Sequence, residues 1–170
     1  KDTVSNPDKY PNKKVAIYGG GKLALYLARI IKRYNSEAVV LFPGDKNLMP
    51  AFDYETEDAL AEGVEVQLLK SIAKIEKKVL TIEKMKVARN KAVGTGEYET
   101  IEADAAIVAM GQQAETNFLR SVPGILLKDG GTVVINQERR TGHAGIFAGG
   151  DMLPDENRSA TIAIGQGKKA

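Results

Sequence analysis

Val15-Ala16-Ile17-Tyr18-Gly19-Gly20-Gly21-Lys22-Leu23-Ala24 runs from an apolar strand through three glycines directly into a helical pattern. Few local sequences restrict a fold as strongly, because a glycine turn between strand and helix calls for a β-α-β unit whose helix packs back on the sheet. Gly19 is expected to make the tight turn, Gly21 to let a phosphate approach the backbone, and Ala24 to bring the helix close to the strand. The unpaired amides at the helix start, from Gly20 through Lys22 and Leu23, and the positive end of the helix would then face an anion. The spacing G-x-G-x-x-A thus predicts a cradle for a dinucleotide pyrophosphate; the alternative is a turn in which glycine serves packing alone.

The surrounding pattern supports a β-α-β unit. Leu23, Leu27, Ile30 and Ile31 recur at helical spacing, and a second apolar run, Glu37 to Phe42, follows the break at Asn35-Ser36. Pro43-Gly44-Asp45-Lys46-Asn47 reads as a turn, a helix is expected from about Tyr54 to Glu62 with Gly63 as its stop, and Val64 to Leu68 alternates as a third strand. Glu55 and Glu57 sit at the start of that helix, where its dipole favours them. Strand, helix, strand, helix, strand predicts a parallel sheet.

From Ile72 to Ile101 the pattern changes. Alternating runs at Ile72 to Ile75 and Val79 to Val87 surround a turn-rich segment, Asn90 to Gly96, and predict antiparallel strands whose lysines and glutamates face solvent. Ala103 to Ala109 is nearly continuously apolar, as a buried parallel strand would be. Further on, Val122 to Lys128 and Thr132 to Asn136 are expected as short strands around Asp129-Gly130-Gly131. Ile146-Phe147-Ala148 is expected as another strand, ending in Gly149-Gly150-Asp151, and Ser159 to Lys169 as a helix.

Composition removes several classes of function. With 24 basic and 22 acidic residues spread along 170 positions, a net charge of +2 offers no footprint for nucleic acid or for a membrane surface. No apolar run approaches the ~20 residues of a membrane span, and the polar stretch Lys1 to Lys14 is unlike a signal peptide, so a cytoplasmic location is expected. There is no cysteine, so electron chemistry would have to belong to a bound cofactor. His143, the single histidine, lies in a loop, no nucleophile elbow is present, and no metal site is expected.

Taken in order, Gly19-Gly20-Gly21, Met49-Pro50-Ala51, Glu62-Gly63-Val64, Ala105 to Gln112 and Gly145-Ile146-Phe147-Ala148-Gly149-Gly150-Asp151 resemble the small (beta) subunit of NADPH-dependent glutamate synthase. More broadly they resemble the pyridine-nucleotide flavoproteins with two dinucleotide-binding domains, over about Lys14 to Ala170. The resemblance implies a nicotinamide-binding domain inserted into an FAD-binding domain, of which this chain carries the insert and the second FAD segment; the FAD fingerprint would lie in a missing upstream segment. Residues 1–13 are then a linker, 14–112 the nicotinamide-dinucleotide domain and 113–170 the C-terminal FAD segment. The fold class expected is α/β: a Rossmann-like, mainly parallel sheet with an antiparallel appendage and a strand-helix piece of an incomplete FAD domain.

The same resemblance implies roles for particular residues. Gly19 to Ala24 would bind the pyrophosphate, and Met110-Gly111-Gln112 would line the nicotinamide side. Gly150 and Asp151 would hold the FAD ribityl chain, and the helix opening at Ala160-Thr161 would face the flavin, where its positive end stabilises charge developing on reduction. The residues also leave alternatives: Asp151 could serve as a turn or helix cap. Where NADPH-using relatives place two arginines, this chain has Pro43-Gly44, and its second strand closes with Phe42 instead of the acidic residue that favours NAD. Asp45 could serve a ribose and Lys46 a 2′-phosphate, so NADP and NAD both remain open. Lys22-Leu23 replaces the Asn followed by Thr or Ser usual in relatives.

The expected function is hydride transfer from a nicotinamide dinucleotide to FAD, with no side-chain acid, base or nucleophile, and with a partner reductase subunit as a candidate electron acceptor. Two alternatives stand beside it: a noncatalytic docking or regulatory domain with a lapsed pocket, and a complete small nucleotide-binding regulator.

Overall fold

The computed structural model describes residues 12–51, 53–154 and 159–170. The chain divides into two compact units, Lys1–Gly111 and Gln112–Ala170.

In the first unit, β1 (Lys14–Tyr18), β2 (Glu37–Phe42), β3 (Glu65–Leu68) and β7 (Ala105–Val108) form a four-stranded sheet in the order β3-β2-β1-β7. Each adjacent pair is parallel, with Val15 opposite both Ala38 and Ala105. The helices α1 (Lys22–Arg33) and α2 (Asp53–Ala61) make the crossovers. Strands β4 (Lys70–Glu76), β5 (Val79–Ala88) and β6 (Lys91–Glu102) form a separate antiparallel sheet.

The period of two along β1 and β2 explains how these layers are joined. Val15, Ile17, Ala38 and Val40 point to a core shared with Ala24, Leu25, Ala28 and Ile31 of α1. Their neighbours Ala16, Val39 and Leu41 point the other way, to a core shared with Leu80 and Ile82 of β5. The α/β class with an antiparallel appendage is therefore the observed architecture.

Several expectations need correction. Leu23 is not on the buried face of α1: it is half exposed, and the buried positions Ala24, Leu25, Leu27, Ala28 and Ile31 define the face that meets the sheet. Asn90 to Gly96 is no extended turn. Arg89 and Asn90, both at positive φ, close a two-residue hairpin, and β6 then continues through both glycines. At Gly94 the glycine makes room for the Glu83 carboxylate from the facing strand. Strand β7 pairs in parallel as expected, yet it ends the sheet and Val108 is exposed.

The second unit has little regular structure. The strands expected at 122–128, 132–136 and 146–148 reduce to two isolated bridges among the described residues, Leu127 with Val133 and Arg140 with Phe147. The unit is organised instead around a small core of Ile125, Val133, Ala148 and Leu153. Helix α3 (Ala160–Gly167) follows, with the Ser159 hydroxyl accepting from the Ile162 amide as its cap. Among the described residues, no helix is long and apolar enough to cross a membrane.

Candidate functional site

In a parallel α/β sheet, ligands gather outside the carboxyl ends of the strands where the strand order reverses. Here that point lies between β1 and β7, because the chain moves from β1 to β2 and β3 on one side and only later adds β7 on the other. Gly19 follows β1, and Ala109-Met110-Gly111 follows β7. The Ala109 amide donates to the Tyr18 carbonyl and the Gly19 amide to the Leu41 carbonyl, so the ends of three strands are fixed together.

The three glycines have different physical reasons. Gly19 lies at φ +149°, and a Cβ there would sit 2.7 Å from the Ala109 carbonyl carbon and closer still to its oxygen. At Gly20 a Cβ would come within 2.6 Å of the Phe42 ring. At Gly21 it would meet nothing within 4 Å, and the backbone is ordinary extended chain at φ −92° and ψ 173°. Packing thus accounts for Gly19 and Gly20 and leaves Gly21 opening onto free space.

That space is a pocket of about 290 Å³. Gly20, Gly21, Lys22 and Leu23 form one wall, Phe42 and Pro50 another, and Ala109, Met110 and Gly111 a third. Pro50 is held there because the Ala51 amide donates to the Gly20 carbonyl. Helix α1 opens at this pocket with no side-chain cap and no acidic residue in its first turn. The amides at its start are therefore available to an anion, and the helix dipole favours one. A larger cavity of about 500 Å³ lies at the opposite, amino end of the sheet among Lys13, Lys32, Glu37 and Asp104. We assign the candidate site to the smaller one, since it stands at the strand ends where the glycine turn and the helix start converge.

The structure sorts the sequence-derived candidates. Gly20, Gly21, Lys22, Leu23, Phe42, Met110 and Gly111 line the pocket. Gly19 and Ala24 stand behind it as packing residues, with Ala24 fully buried. Asp45 does not line it: its carboxylate caps the turn that follows, accepting from the Leu48 amide at 3.1 Å. Lys46 does not line it either and pairs with Asp53 at 3.2 Å. Gln112 belongs to the second unit. Pro50 and Ala109, quoted in the sequence only within the stretches that carry the resemblance and given no binding role there, also line the pocket.

Glu55 stands in the first turn of α2, where the dipole reading placed it, and has a further partner. It is buried on α2, and its Oε1 lies 3.4 Å from the Lys22 ammonium. Toward the far end of α1 from the pocket, Glu62 receives Arg29 and Arg33, with both Nη2 atoms 2.6 Å from Oε1. The hydrogen bonds from Arg33 and Arg29 hold the Glu62 carboxyl at about 2, well below its ordinary 4.5.

In the second unit, Gly150 and Asp151 begin a short turn, Gly150–Met152. The Gly150 amide donates to Gln166 Oε1 at 2.7 Å, and Gln166 is itself buried on α3. Asp151 is exposed and is not the cap of α3, a place that Ser159 fills. Ala160 and Thr161 form the exposed first turn of that helix.

A parallel sheet with a glycine turn at its switch point is the architecture of the doubly wound α/β folds. The pyridine nucleotide-disulphide oxidoreductase family matches residues 2–167, and the chain belongs to that family. It is 27% identical over 168 residues to an alkyl hydroperoxide reductase component from Staphylococcus aureus, covering 95% of this chain and 30% of that protein. It is also 27% identical over 157 residues to glutathione reductase of Debaryomyces hansenii, covering 92% of this chain and 31% of the relative. The chain thus spans about a third of the curated relatives it matches. Among solved structures, thioredoxin reductase of T. acidophilum superposes with a TM-score of 0.84 at 20% identity, over 99% of this chain and 53% of the other. Lactococcus lactis thioredoxin reductase superposes at 0.80 with 20% identity, over 99% of this chain and 54% of the other. The family expected from the sequence is the family found; these relatives do not single out the small subunit of glutamate synthase within it.

Proposed function

We propose that the first unit binds a nicotinamide dinucleotide, NADH or NADPH, and that the second contributes part of an FAD site, the whole serving hydride transfer between the two cofactors. The observation that carries the reading is Gly21. It is a glycine that neither backbone conformation nor neighbours require, at the mouth of a pocket where a helix start has amides to offer. A lapsed pocket would have no use for it.

In this reading the backbone at Gly20 to Leu23 holds the pyrophosphate and Met110-Gly111 borders the nicotinamide. Gly150 and Asp151, braced by Gln166, would hold the flavin's polar chain, and the first turn of α3 would bring its positive end to the ring. Hydride passage is the cofactors' own chemistry. The protein's share is to bind, to orient and to exclude water. No cysteine is present in the 170 residues, so a disulfide, if one is the final acceptor, belongs to another segment or a partner reductase subunit. The narrower kinship with the glutamate synthase small subunit rests on the five stretches taken in order, from Gly19-Gly20-Gly21 to Gly149-Gly150-Asp151, and the supporting outcome for it would be electron delivery to such a partner.

Calorimetric titration of the chain with NADPH and with NADH tests the reading, repeated on Gly21→Glu, which places a carboxylate in the open space. Binding that the substitution abolishes is the expected result. Absence of binding to either nucleotide by the folded chain overturns it.

A further inference from the structure

Among the described residues lining the pocket at the glycine turn, Lys22 is the only charged one. It is the first residue of α1, where a cation is opposed by the helix dipole, and no acidic residue of the first turn offsets it. Its compensation comes from another element. Glu55 of α2 has a side chain only 10% exposed, and its Oε1 lies 3.4 Å from the Lys22 ammonium, whose own side chain is 79% exposed. A carboxylate so deeply placed needs a counter-charge, whereas an exposed lysine on a four-carbon stem is free to move its ammonium to another anion. The other nearby cation, Lys46, is paired with Asp53 away from the pocket lining.

We propose that Lys22 is the phosphate-binding cation of this site and that Glu55 is its resting counter-ion, so that a dinucleotide binds by exchange: the Lys22 ammonium leaves Glu55 and takes the pyrophosphate. The proposal rests on the dinucleotide reading above. It places recognition on the phosphates common to NADH and NADPH, and makes Glu55 a positioning residue that competes with the ligand for the same cation. The first turn of α1 departs from ordinary helix-start chemistry because its anion arrives from outside.

The test is a titration of the whole chain with NADH and NADPH at two salt concentrations, using wild type, Gly21→Glu, Lys22→Met, Lys22→Arg, Glu55→Gln and the Lys22→Met, Glu55→Gln double variant, each confirmed as folded by its thermal transition. Lys22→Met is expected to weaken both dinucleotides equally, by about tenfold for one charge-assisted contact, and to flatten the salt dependence, while Lys22→Arg retains affinity. Glu55→Gln keeps an accepting oxygen and is expected to tighten both ligands by about threefold, and only while Lys22 is present. A Lys22→Met variant that binds like wild type, or that loses NADPH alone, overturns the proposal, as does a Glu55→Gln variant that binds no more tightly. If wild type binds and Gly21→Glu does not, such a result sinks the exchange and spares the site; if wild type binds neither dinucleotide, both readings fall.

Discussion

The Phe42 ring occupies the space that a side chain on Gly20 would need, so that the last residue of β2 and the middle of the glycine turn fit against each other with no atom to spare. Gly20→Ala must displace that ring or the turn, and is expected to cost about 1–3 kcal/mol, as overpacking does. Gly21→Ala meets nothing and is expected to stay within about 1 kcal/mol of wild type, the weaker helix cap being offset by a stiffer unfolded chain. Chemical denaturation of the two variants checks the contrast; equal losses would contradict the division of roles between adjacent glycines.

Glu62 makes the stability of the first unit depend on pH. Its carboxyl is held at about 2 against an ordinary 4.5 by Arg33 and Arg29, so the folded state binds its proton less readily than the unfolded chain. The contribution is fully present above about 4.5 and is lost as the pH falls toward about 2. Glu62→Gln is therefore expected to be less stable than wild type at neutral pH, and the gap should close across that acid window. Thermal midpoints of both proteins from pH 7 to 2 measure it; a gap independent of pH would refute the ion-pair account.

Gln166 braces the turn that presents Asp151. Gln166→Leu preserves bulk but takes away the acceptor of the Gly150 amide, and leaving that donor without its partner is expected to cost about 1–3 kcal/mol. Hydrogen exchange should show the Gly150 amide losing protection ahead of the core around Val133. Unchanged protection there would mean that the turn holds itself.

Asp45 offers a prediction about specificity. Its carboxylate caps the turn at Leu48, so Asp45→Ala is expected to cost about 1 kcal/mol through the lost cap and to leave the ratio of NADH to NADPH affinity unchanged. A changed ratio would show that the carboxylate serves a ribose after all.

The sequence made the first unit legible where one periodicity dominated. The β1-turn-α1-β2 unit has a strand period, then glycines, then a helical period, and each signal agrees with the tertiary contacts that follow. Reading failed where a local signal met a nonlocal force. Asn90 to Gly96 looks like one turn by composition, yet the turn closes at Arg89-Asn90, the ladder runs to Gly94, and the remaining irregularity is a bulge at Thr95 to Glu97 before pairing resumes at Tyr98 with Glu83. Leu23 looks like core, but one position away from the buried face of α1 it becomes a pocket wall. The strands expected in the second unit reduce to two isolated bridges, and their apolar residues instead close a small core around Val133. At the site, the glycines were recognisable by their spacing between strand and helix, whereas Pro50 and Ala109, quoted only inside longer stretches, owe their places in the wall to backbone hydrogen bonds. Glu55 was visible as an acid and invisible as the partner of Lys22.

Strands β1 and β2 give alternate residues to two cores, one with α1 and one with β5. A slip of a single residue would exchange the two sets, setting Val15 and Ile17 against the hairpin and Ala16 against the helix. The helical layer and the hairpin layer therefore cannot melt independently: loss of either strips one face of the same two strands. The first unit should behave as a single cooperative block, in which an insertion at the Arg89-Asn90 tip is tolerated and a one-residue deletion within β1 is not.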